Sequence, residues 1–370
     1  MAQPSSSDWY YTTGFWNQFP ETVRYQHRLA TDDEDTGWIV HIFRLNGERP
    51  FRRALVLNCG NGWLERVLVA EGFVESAVAL DVLPDFIEQC RRDAIGMDIE
   101  YIQMDVNLID RHVADGSESV LTREPFDLIV NFSACHHIAL LDNVLSTVHR
   151  LCRSDALFIS WDYMGPHRNQ YPWSQWRRIK RANRTLPPAL RKPMVYPHLT
   201  TLIANDPSEA VQSQRVREVI HRYFDVFHDR DIGGGIAYEV ITHNPNFYDG
   251  GEARLELGTH VASLLCIDEE HARRDECSGF RYMLARPRAG LDDVEVRRWV
   301  DLERDEFERA SRRGGRYGRP TVMGWVTDAP GRLHRVLARV PRFRRFLGSI
   351  RRTLRRVVAR GGAERTPRAR

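Results

Sequence analysis

The chain has 370 residues, of which 42% are hydrophobic and 28% are charged. A chain of this length and apolar content can bury a substantial core, which excludes disorder as its overall state. No apolar run approaches the roughly 18 residues of a membrane-spanning helix, and the first 16 residues lack the basic and apolar regions of a secretory signal. The six cysteines are scattered without a CxxC pair, which argues against a disulfide framework or a zinc site and fits a reducing cytoplasm.

The net charge of +3 is distributed unevenly along the chain. Residues 331–370 hold 14 Arg and one Glu, a net charge of +13, so the first 330 residues together carry −10. Because an acidic body repels phosphates, we do not expect a nucleic acid as the substrate.

Residues 1–50 form a polar, aromatic N-terminal segment with a helix predicted over 19–30. From residue 51 the pattern alternates between short apolar runs and helical stretches, which predicts a parallel sheet covered by helices on both faces. The first five runs predict strands at 54–58, 77–81, 100–104, 126–131 and 156–161, with helices near 63–72, 84–95 and 140–152.

Residues 162–209 interrupt this rhythm, because they are rich in Pro and Arg and contain no clear strand. Such a long insertion predicts a lid or a substrate-binding element. Beyond it the chain resumes the α/β pattern to residue 290 and then enters a helix and linker at 291–330. The elements predicted there are a helix at 209–222, a sixth strand at 224–229, a helix near 253–270, a seventh strand at 280–287 and a charged helix at 291–312.

Residues 331–370 are called the basic tail here. Their apolar side chains recur every three or four residues and Arg fills the other positions, which predicts amphipathic helices divided at Pro341. A basic amphipathic helix suits an anionic membrane surface, and this is the interpretation we favour. Packing against protein and contact with nucleic acid are the alternatives.

The motif that carries chemistry is ALVLNCGNGWLERVL at 54–68, which predicts a strand, a glycine-rich turn and a helix. Gly60 and Gly62 allow a tight turn and the close approach of a ligand. Asp81 ends the second strand, where a carboxylate can accept both hydroxyl hydrogens of a ribose. Glu65 stands where a dinucleotide fingerprint has its third Gly, and its bulk and charge disfavour a pyrophosphate. The pattern therefore favours S-adenosylmethionine, which has a ribose and no phosphate.

With these residues, the segment 54–161 resembles the core of class I S-adenosylmethionine-dependent methyltransferases. NCGNG at 58–62 is similar to their first motif, YIQMDVN at 101–107 to their third-strand motif and FDLIVNFSACHHI at 126–138 to their fourth. The resemblance implies a Rossmann-like seven-stranded α/β sheet, methyl transfer, and S-adenosylmethionine as the cofactor. It also implies a set of cofactor-binding residues, namely Asn58, Gly60, Asn61, Gly62, Asp81, Val82, Asp105, Val106 and Asn131.

A closer likeness is to bacterial methyltransferases of glycan and polysaccharide assembly, as seen in NCGNGWLE, in DYMGPHRNQY at 162–171 and in the glycines at 233–235. It implies O-methylation of a small-molecule or glycan acceptor. The basic tail would then hold a cytoplasmic enzyme at the inner face of the membrane. Asn58 and Leu64 depart from the family pattern, and they motivate a non-catalytic binding or scaffold protein as the alternative. An RNA or protein methyltransferase anchored by the tail is a weaker one.

Candidate catalytic residues follow strands four and five, because the site of an open α/β sheet lies beyond the carboxyl ends of its strands. We expect His137 to be the base for a hydroxyl acceptor, with a helix-capping role as the alternative. Asp162 is expected to be a base or a magnesium ligand for sugar hydroxyls, or else a structural cap; no other metal ligand is assigned. In the insertion, His167 is a third catalytic candidate. Four residues are expected to contact the substrate, namely Tyr163, Arg168, Tyr171 and His243.

The aromatic N-terminal segment has two interpretations. It either covers the cofactor cleft or packs against an edge of the sheet.

Overall fold

The computed structural model describes residues 14–114, 119–274 and 279–312. The strands are β1 (Phe51–Val56), β2 (Val74–Asp81), β3 (Ile99–Gln103), β4 (Phe126–Phe132), β5 (Cys152–Tyr163), β6 (Phe224–Asp231), β7 (Tyr248–Asp249), β8 (Glu252–Ala253) and β9 (Phe280–Pro287). The helices are α1 (Pro20–Thr31), α2 (Trp38–Leu45), α3 (Trp63–Ala70), α4 (Pro84–Asp93), α5 (Ile109–Ala114), α6 (Val120–Arg123), α7 (Leu141–Leu151), α8 (Trp173–Thr185), α9 (Leu199–Asn205), α10 (Ser213–Tyr223), α11 (Ala237–Ile241), α12 (Gly258–Ala272) and α13 (Asp293–Arg312).

Seven of these strands form one sheet in the order β3-β2-β1-β4-β5-β9-β6. Strands β1 to β5 pair in parallel, and β9 lies antiparallel between β5 and β6. The chain builds outward from β1 to β3 and then crosses back to β4, so the strand order reverses between β1 and β4. A ligand cleft is expected at the carboxyl ends of these two strands. The predicted Rossmann-like α/β sheet of seven strands is confirmed.

Alternate residues of the strands face opposite sides of the sheet, as the two-residue period of a strand requires. In β1, Ala54 and Val56 join the hydrophobic cluster formed with α2, α3 and α4. Leu55 points to the other face, where it packs with residues of α7 and α10. Both faces of the sheet are therefore buried, which explains why the sequences of the strands are nearly continuous apolar runs.

A third hydrophobic cluster joins α1 to α8, α11 and α12. Trp16 belongs to it and stacks on Phe280 of β9 with ring centroids 5.9 Å apart, while the Phe15 ring meets His243 edge-on at 4.9 Å. In the described part of the N-terminal segment these aromatic side chains therefore pack against the start of the interior strand β9 and against the helical layer. Residues 1–13, to which the cover interpretation also applied, lie outside the described residues.

The insertion at 162–209 contains α8 and α9 joined by short turns, and the charged helix predicted at 291–312 corresponds to α13. Among the described residues, no helix is long and apolar enough to cross a membrane. The linker from 313 to 330 and the basic tail at 331–370 lie outside the described residues, as do the interpretations placed on them.

Candidate active site

The glycine-rich turn connects β1 to α3 through a backbone that repeatedly adopts positive φ. The φ values are 46° at Asn58, 58° at Gly60 and 70° at Gly62. A Cβ at Gly62 would lie 2.7 Å from the sulfur of Cys90 and 2.8 Å from a carboxylate oxygen of Glu65. Both the backbone conformation and the space therefore require glycine at position 62.

The carboxylate of Asp81 ties this turn to the end of β2. Its Oδ2 accepts the Gly60 N–H at 2.9 Å and its Oδ1 accepts the Leu83 N–H at 2.9 Å. Burial raises the pKa of Asp81, against the lowering effect of these two donors. Because each carboxylate oxygen has two lone pairs, each can still accept a ribose hydroxyl.

Other members of the predicted cofactor set lie around this carboxylate. Val82 follows Asp81 and is 54% exposed, which is unusual for an apolar side chain beside a buried strand end. Asp105 caps a short turn by accepting the Asn107 N–H at 3.0 Å, and Val106 inside that turn is buried. The carboxyl ends of β2 and β3 thus place one exposed apolar side chain beside two carboxylates.

The side chain of Glu65 does not face the ligand side of the glycine-rich turn, as we expected from its position in the motif. The side chain is fully buried beneath the turn, among Cys59 and Cys90. Burial raises its pKa from 4.5 to about 7. Because the carboxyl group faces the core, its charge is not directed at a ligand on the turn and does not by itself disfavour a pyrophosphate there.

Asn131 at the end of β4 is fully buried and bonded through both ends of its amide. Its Oδ1 accepts the Cys135 N–H at 2.8 Å, and its Nδ2 donates to Ser160 Oγ at 2.8 Å and to Asp162 Oδ2 at 3.0 Å. Expected as a cofactor contact, Asn131 instead fixes the turn that carries the two histidines.

Asp162 is fully buried at the end of β5 and holds His136. Its Oδ1 lies 2.5 Å from His136 Nδ1, and its Oδ2 accepts the His136 backbone N–H at 3.2 Å. Burial alone would lower the pKa of His136, but the charge and hydrogen bond of Asp162 raise it to about 9. The expectation that Asp162 itself is a base or a magnesium ligand does not agree with this burial, and the structure makes it a positioning residue for His136.

His137 is oriented by a different chain of hydrogen bonds. Its Nδ1 lies 3.0 Å from Ser208 Oγ, and the Ser208 hydroxyl donates to Asp206 Oδ1 at 2.7 Å. Because that hydroxyl hydrogen is engaged with Asp206, Ser208 accepts from His137, so Nδ1 carries the proton and Nε2 keeps its lone pair. Burial, followed by the neighbouring His136, lowers the pKa of His137.

Glu209 completes the cluster, and we did not identify it from the sequence. Its Oε2 lies 3.8 Å from His136 Nε2 and 3.9 Å from His137 Nε2. The Asn169 side-chain amide donates to the other carboxylate oxygen at 3.3 Å. The adjacent histidines signalled this site, but nothing in the sequence around Glu209 distinguishes it from a surface acid.

Two of the expected insertion residues have structural partners. Arg168 is buried, and its guanidinium donates to the backbone carbonyls of Pro207 at 2.6 Å and Glu209 at 3.1 Å, so it holds the segment that carries Glu209. The Nδ1 of His167 accepts the backbone N–H of Gln214 in α10 at 3.4 Å, and burial lowers the pKa of His167 to about 4.

The remaining expected substrate residues are divided between the cluster and the helical layer. Tyr163 lies edge-on to His136 with ring centroids 6.1 Å apart. Tyr171 is buried in the third hydrophobic cluster, where its hydroxyl donates to Glu239 at 2.7 Å. The backbone N–H of His243 donates to the Gly14 carbonyl at 2.9 Å. The structure thus brings His137, Asp162 and Tyr163 together, with the Tyr171 hydroxyl beside that of Tyr163, and it places His243 against the N-terminal segment.

A comparison with protein families settles the nature of the core. Residues 55–160, which span β1 to β5 with most of the glycine-rich turn, Asp81 and both histidines, match the family model described as a methyltransferase domain. This segment is a methyltransferase domain. The chain therefore carries the core of an S-adenosylmethionine-dependent methyltransferase, as the sequence predicted, and S-adenosylmethionine is its cofactor.

Several solved structures are similar to the chain at low identity. The chain is similar to a mycolic acid cyclopropane synthase complexed with S-adenosylhomocysteine, with 14% identity over 75% of this chain and 97% of that one and a TM-score of 0.41. It is similar to phosphoethanolamine N-methyltransferase 2 of Haemonchus contortus, with 12% identity over 77% of this chain and 60% of that one and a TM-score of 0.42. It is also similar to the YcgJ protein from Bacillus subtilis, with 14% identity, coverage of 68% and 98% respectively, and a TM-score of 0.40. No curated protein matches the chain.

Proposed function

We propose that this protein transfers the methyl group of S-adenosylmethionine to a hydroxyl of a small-molecule or glycan acceptor. The observation that carries the proposal is the oriented Nε2 of His137 beside His136 and Glu209, at the carboxyl ends of β4 and β5. The Asn58 side chain donates to the Ala134 carbonyl at 3.2 Å, so the glycine-rich turn lies against the segment that bears the histidines. A methyl donor on that turn would face this cluster.

The residues of the turn fit the cofactor. The positive φ of Gly60 and Gly62 forms a tight turn that a ligand can approach closely, and Asp81 presents lone pairs for the two ribose hydroxyls. The exposed Val82 side chain offers an apolar face for adenine, with Asp105 beside it. The cofactor would supply an electrophilic methyl group when bound, and these residues would orient it.

His137 supplies the base that a hydroxyl acceptor needs. His137 Nε2 would accept the proton of an acceptor hydroxyl held beside it, and the bound cofactor would supply the methyl group and keep the electron pair of the broken S–CH₃ bond as a neutral thioether. The imidazolium that forms is stabilised by Glu209, whose carboxylate lies 3.9 Å away. Positioning supplies most of the remaining acceleration, because the reaction is an in-line displacement.

The test is transfer of tritiated methyl from S-adenosylmethionine to low-molecular-mass and glycan fractions of a cell extract. We expect alkali-stable label, as in a methyl ether, with wild type. The label should be lost with His137→Gln and retained with His112→Gln, which changes an exposed histidine on α5. Label in protein or RNA would overturn the proposal. Absence of transfer by wild type that binds S-adenosylhomocysteine would overturn it in favour of a scaffold protein.

We also propose that the basic tail holds the enzyme at the cytoplasmic face of an anionic membrane, where lipid-linked glycans would be accessible. The support is the apolar stripe with its 14 arginines, each of which contributes about 1 kcal/mol near such a surface. Replacing the arginines at 351, 352, 355 and 356 by glutamine should weaken binding to phosphatidylglycerol vesicles at least tenfold. Unchanged binding, or equal binding to phosphatidylcholine vesicles, would contradict the proposal.

A further inference from the structure

Beyond methyl transfer, we propose that Nε2 of His136, Nε2 of His137 and the carboxylate of Glu209 bind a divalent transition-metal ion of the Zn²⁺ type. The three donor atoms all lie within 4.8 Å of one another. They come from the turn after β4 and from the end of the insertion, so two separate parts of the chain converge on one point.

The spacing of the donors suits a metal ion. Zinc binds imidazole nitrogen and carboxylate oxygen at about 2.0–2.2 Å, which places tetrahedral ligands about 3.3 Å apart. Glu209 Oε2 lies 3.8 Å from one ring nitrogen and 3.9 Å from the other, so each of these two distances would need to contract by about 0.5 Å. Side-chain rotations of Glu209 and of the two imidazoles would bring the donors onto a bound ion.

Each ligand is oriented by a second residue, as metal ligands in proteins usually are. His136 directs Nδ1 at the buried carboxylate of Asp162 at 2.5 Å, which leaves Nε2 for the metal. His137 directs Nδ1 at Ser208, and Asn169 donates to the oxygen of Glu209 that faces away from the rings. A simple ion pair between Glu209 and one histidine would not require both imidazoles to aim Nε2 at the same oxygen.

The donor set also selects the class of metal. Two imidazoles and one carboxylate suit Zn²⁺ or Fe²⁺, whereas Mg²⁺ prefers oxygen ligands. The cluster is partly open, because the side chains of His137 and Glu209 are 18% and 23% exposed. Three protein ligands leave a position for water or an acceptor oxygen. In the metal-bound protein the Nε2 lone pair of His137 would be occupied, so His137 would be a ligand there and the base only in the metal-free protein. An acceptor hydroxyl bound to the metal would lose its proton to water more readily.

From the sequence we expected no zinc site, because the cysteines are scattered, and we considered only Asp162 as a magnesium ligand. The proposed site replaces both expectations. It also explains why Asp162 is fully buried. The carboxylate that the sequence suggested as a ligand holds a ligand in place.

The experiment is a metal titration of the full chain, produced without a histidine tag and stripped with a chelator. We expect one Co²⁺ per chain with a visible d–d absorption band, displaced by Zn²⁺. His137→Gln and Glu209→Gln should each weaken the affinity at least 100-fold. Asp162→Asn should weaken it 10- to 100-fold, because it disorients His136. Two matched surface controls, His112→Gln and Glu75→Gln, should bind as wild type does.

Thermal unfolding of each variant shows whether it is folded, so a loss of affinity can be assigned to the ligand. Failure of folded wild type to bind Co²⁺ or Zn²⁺ would overturn the proposal. The proposal would also be overturned if His137→Gln and Glu209→Gln were both folded and bound the metal with the affinity of wild type. The titration contains neither methyl donor nor acceptor, so its outcome is independent of whether the protein methylates a hydroxyl.

Discussion

Replacing Asp81 by asparagine tests the cofactor pocket most directly. The substitution keeps the size of the side chain and removes its charge. In the structure both oxygens accept backbone N–H groups at 2.9 Å, so one of these donors would face the new amide NH₂. The variant therefore weakens the contact between β2 and the glycine-rich turn as well as any contact with a ribose.

The magnitude follows from the hydrogen bonds involved. Hydrogen bonds to a charged group contribute about 1.5–3 kcal/mol each, and neutral ones about 1 kcal/mol. Exchanging two charged ribose contacts for one neutral contact should cost about 3 kcal/mol, which corresponds to a loss of about 150-fold in affinity. Asp85→Asn, at an exposed position in the first turn of α4, should leave affinity unchanged.

The assay is calorimetric titration with S-adenosylhomocysteine and with its 2′,3′-dideoxy analogue. Wild type should bind the analogue about as weakly as Asp81→Asn binds the natural compound, and the variant should lose little further affinity for the analogue. Binding of S-adenosylhomocysteine by the variant within threefold of wild type would refute the ribose assignment. An equal loss for both ligands would show that the substitution acts by collapsing the turn.

Three further predictions concern buried residues and backbone turns around the site. The pKa of Glu65 is raised from 4.5 to about 7, so between these pH values the folded state holds a proton that the unfolded chain has lost. The free energy of unfolding should therefore fall by up to about 3 kcal/mol as pH rises from 4.5 through 7. Glu65→Gln should remove this fall in urea unfolding at pH 5 and 8, and an unchanged pH dependence would contradict the assignment. Asp268 accepts three backbone N–H groups at 2.6–2.8 Å and the Tyr25 hydroxyl at 2.9 Å, so Asp268→Asn should cost about 3 kcal/mol in the same assay, and less than 1 kcal/mol would contradict it. Gly62→Ala should weaken the binding of S-adenosylhomocysteine at least tenfold in calorimetry. Gly72 also has a positive φ, but a Cβ there would have no atom within 4 Å, so Gly72→Ala should leave the affinity unchanged. Equal losses of affinity in the two variants would point to general backbone strain.

The order of elements could be predicted because buried parallel strands have a simple signature. Their sequences are short apolar runs separated by helices, and each of the seven predicted strands has its counterpart in the sheet. Helix α2 was not predicted, because WIVHIFRL is a short and mostly apolar run, and eight such residues do not distinguish a helix from a buried strand. Its burial in the cluster around Trp38 and Ile42 depends on tertiary packing that the local sequence does not express.

The arrangement of the candidate cofactor residues was more predictable than that of the histidine cluster. Gly60, Gly62 and Asp81 lie at fixed positions around one strand–turn–helix unit, so spacing along the chain carries their geometry. The role of each histidine was not predictable, because it depends on strand register. Asn131 pairs with Ser160 between β4 and β5, and this register brings Asp162 to His136 rather than to His137.

The candidate cofactor residues and the histidine cluster also differ in which part of the chain builds them. The residues that match the methyltransferase domain end at 160 and include both histidines, whereas Asp162, Ser208 and Glu209 follow that boundary. His136 is held by the sheet through Asp162, and His137 is held by the insertion through Ser208. Because Arg168 secures the backbone that carries Glu209, the insertion decides whether the cluster is assembled. The glycine-rich turn and Asp81 therefore lie almost wholly within the matched segment, whereas the proposed acceptor chemistry also depends on residues that follow it.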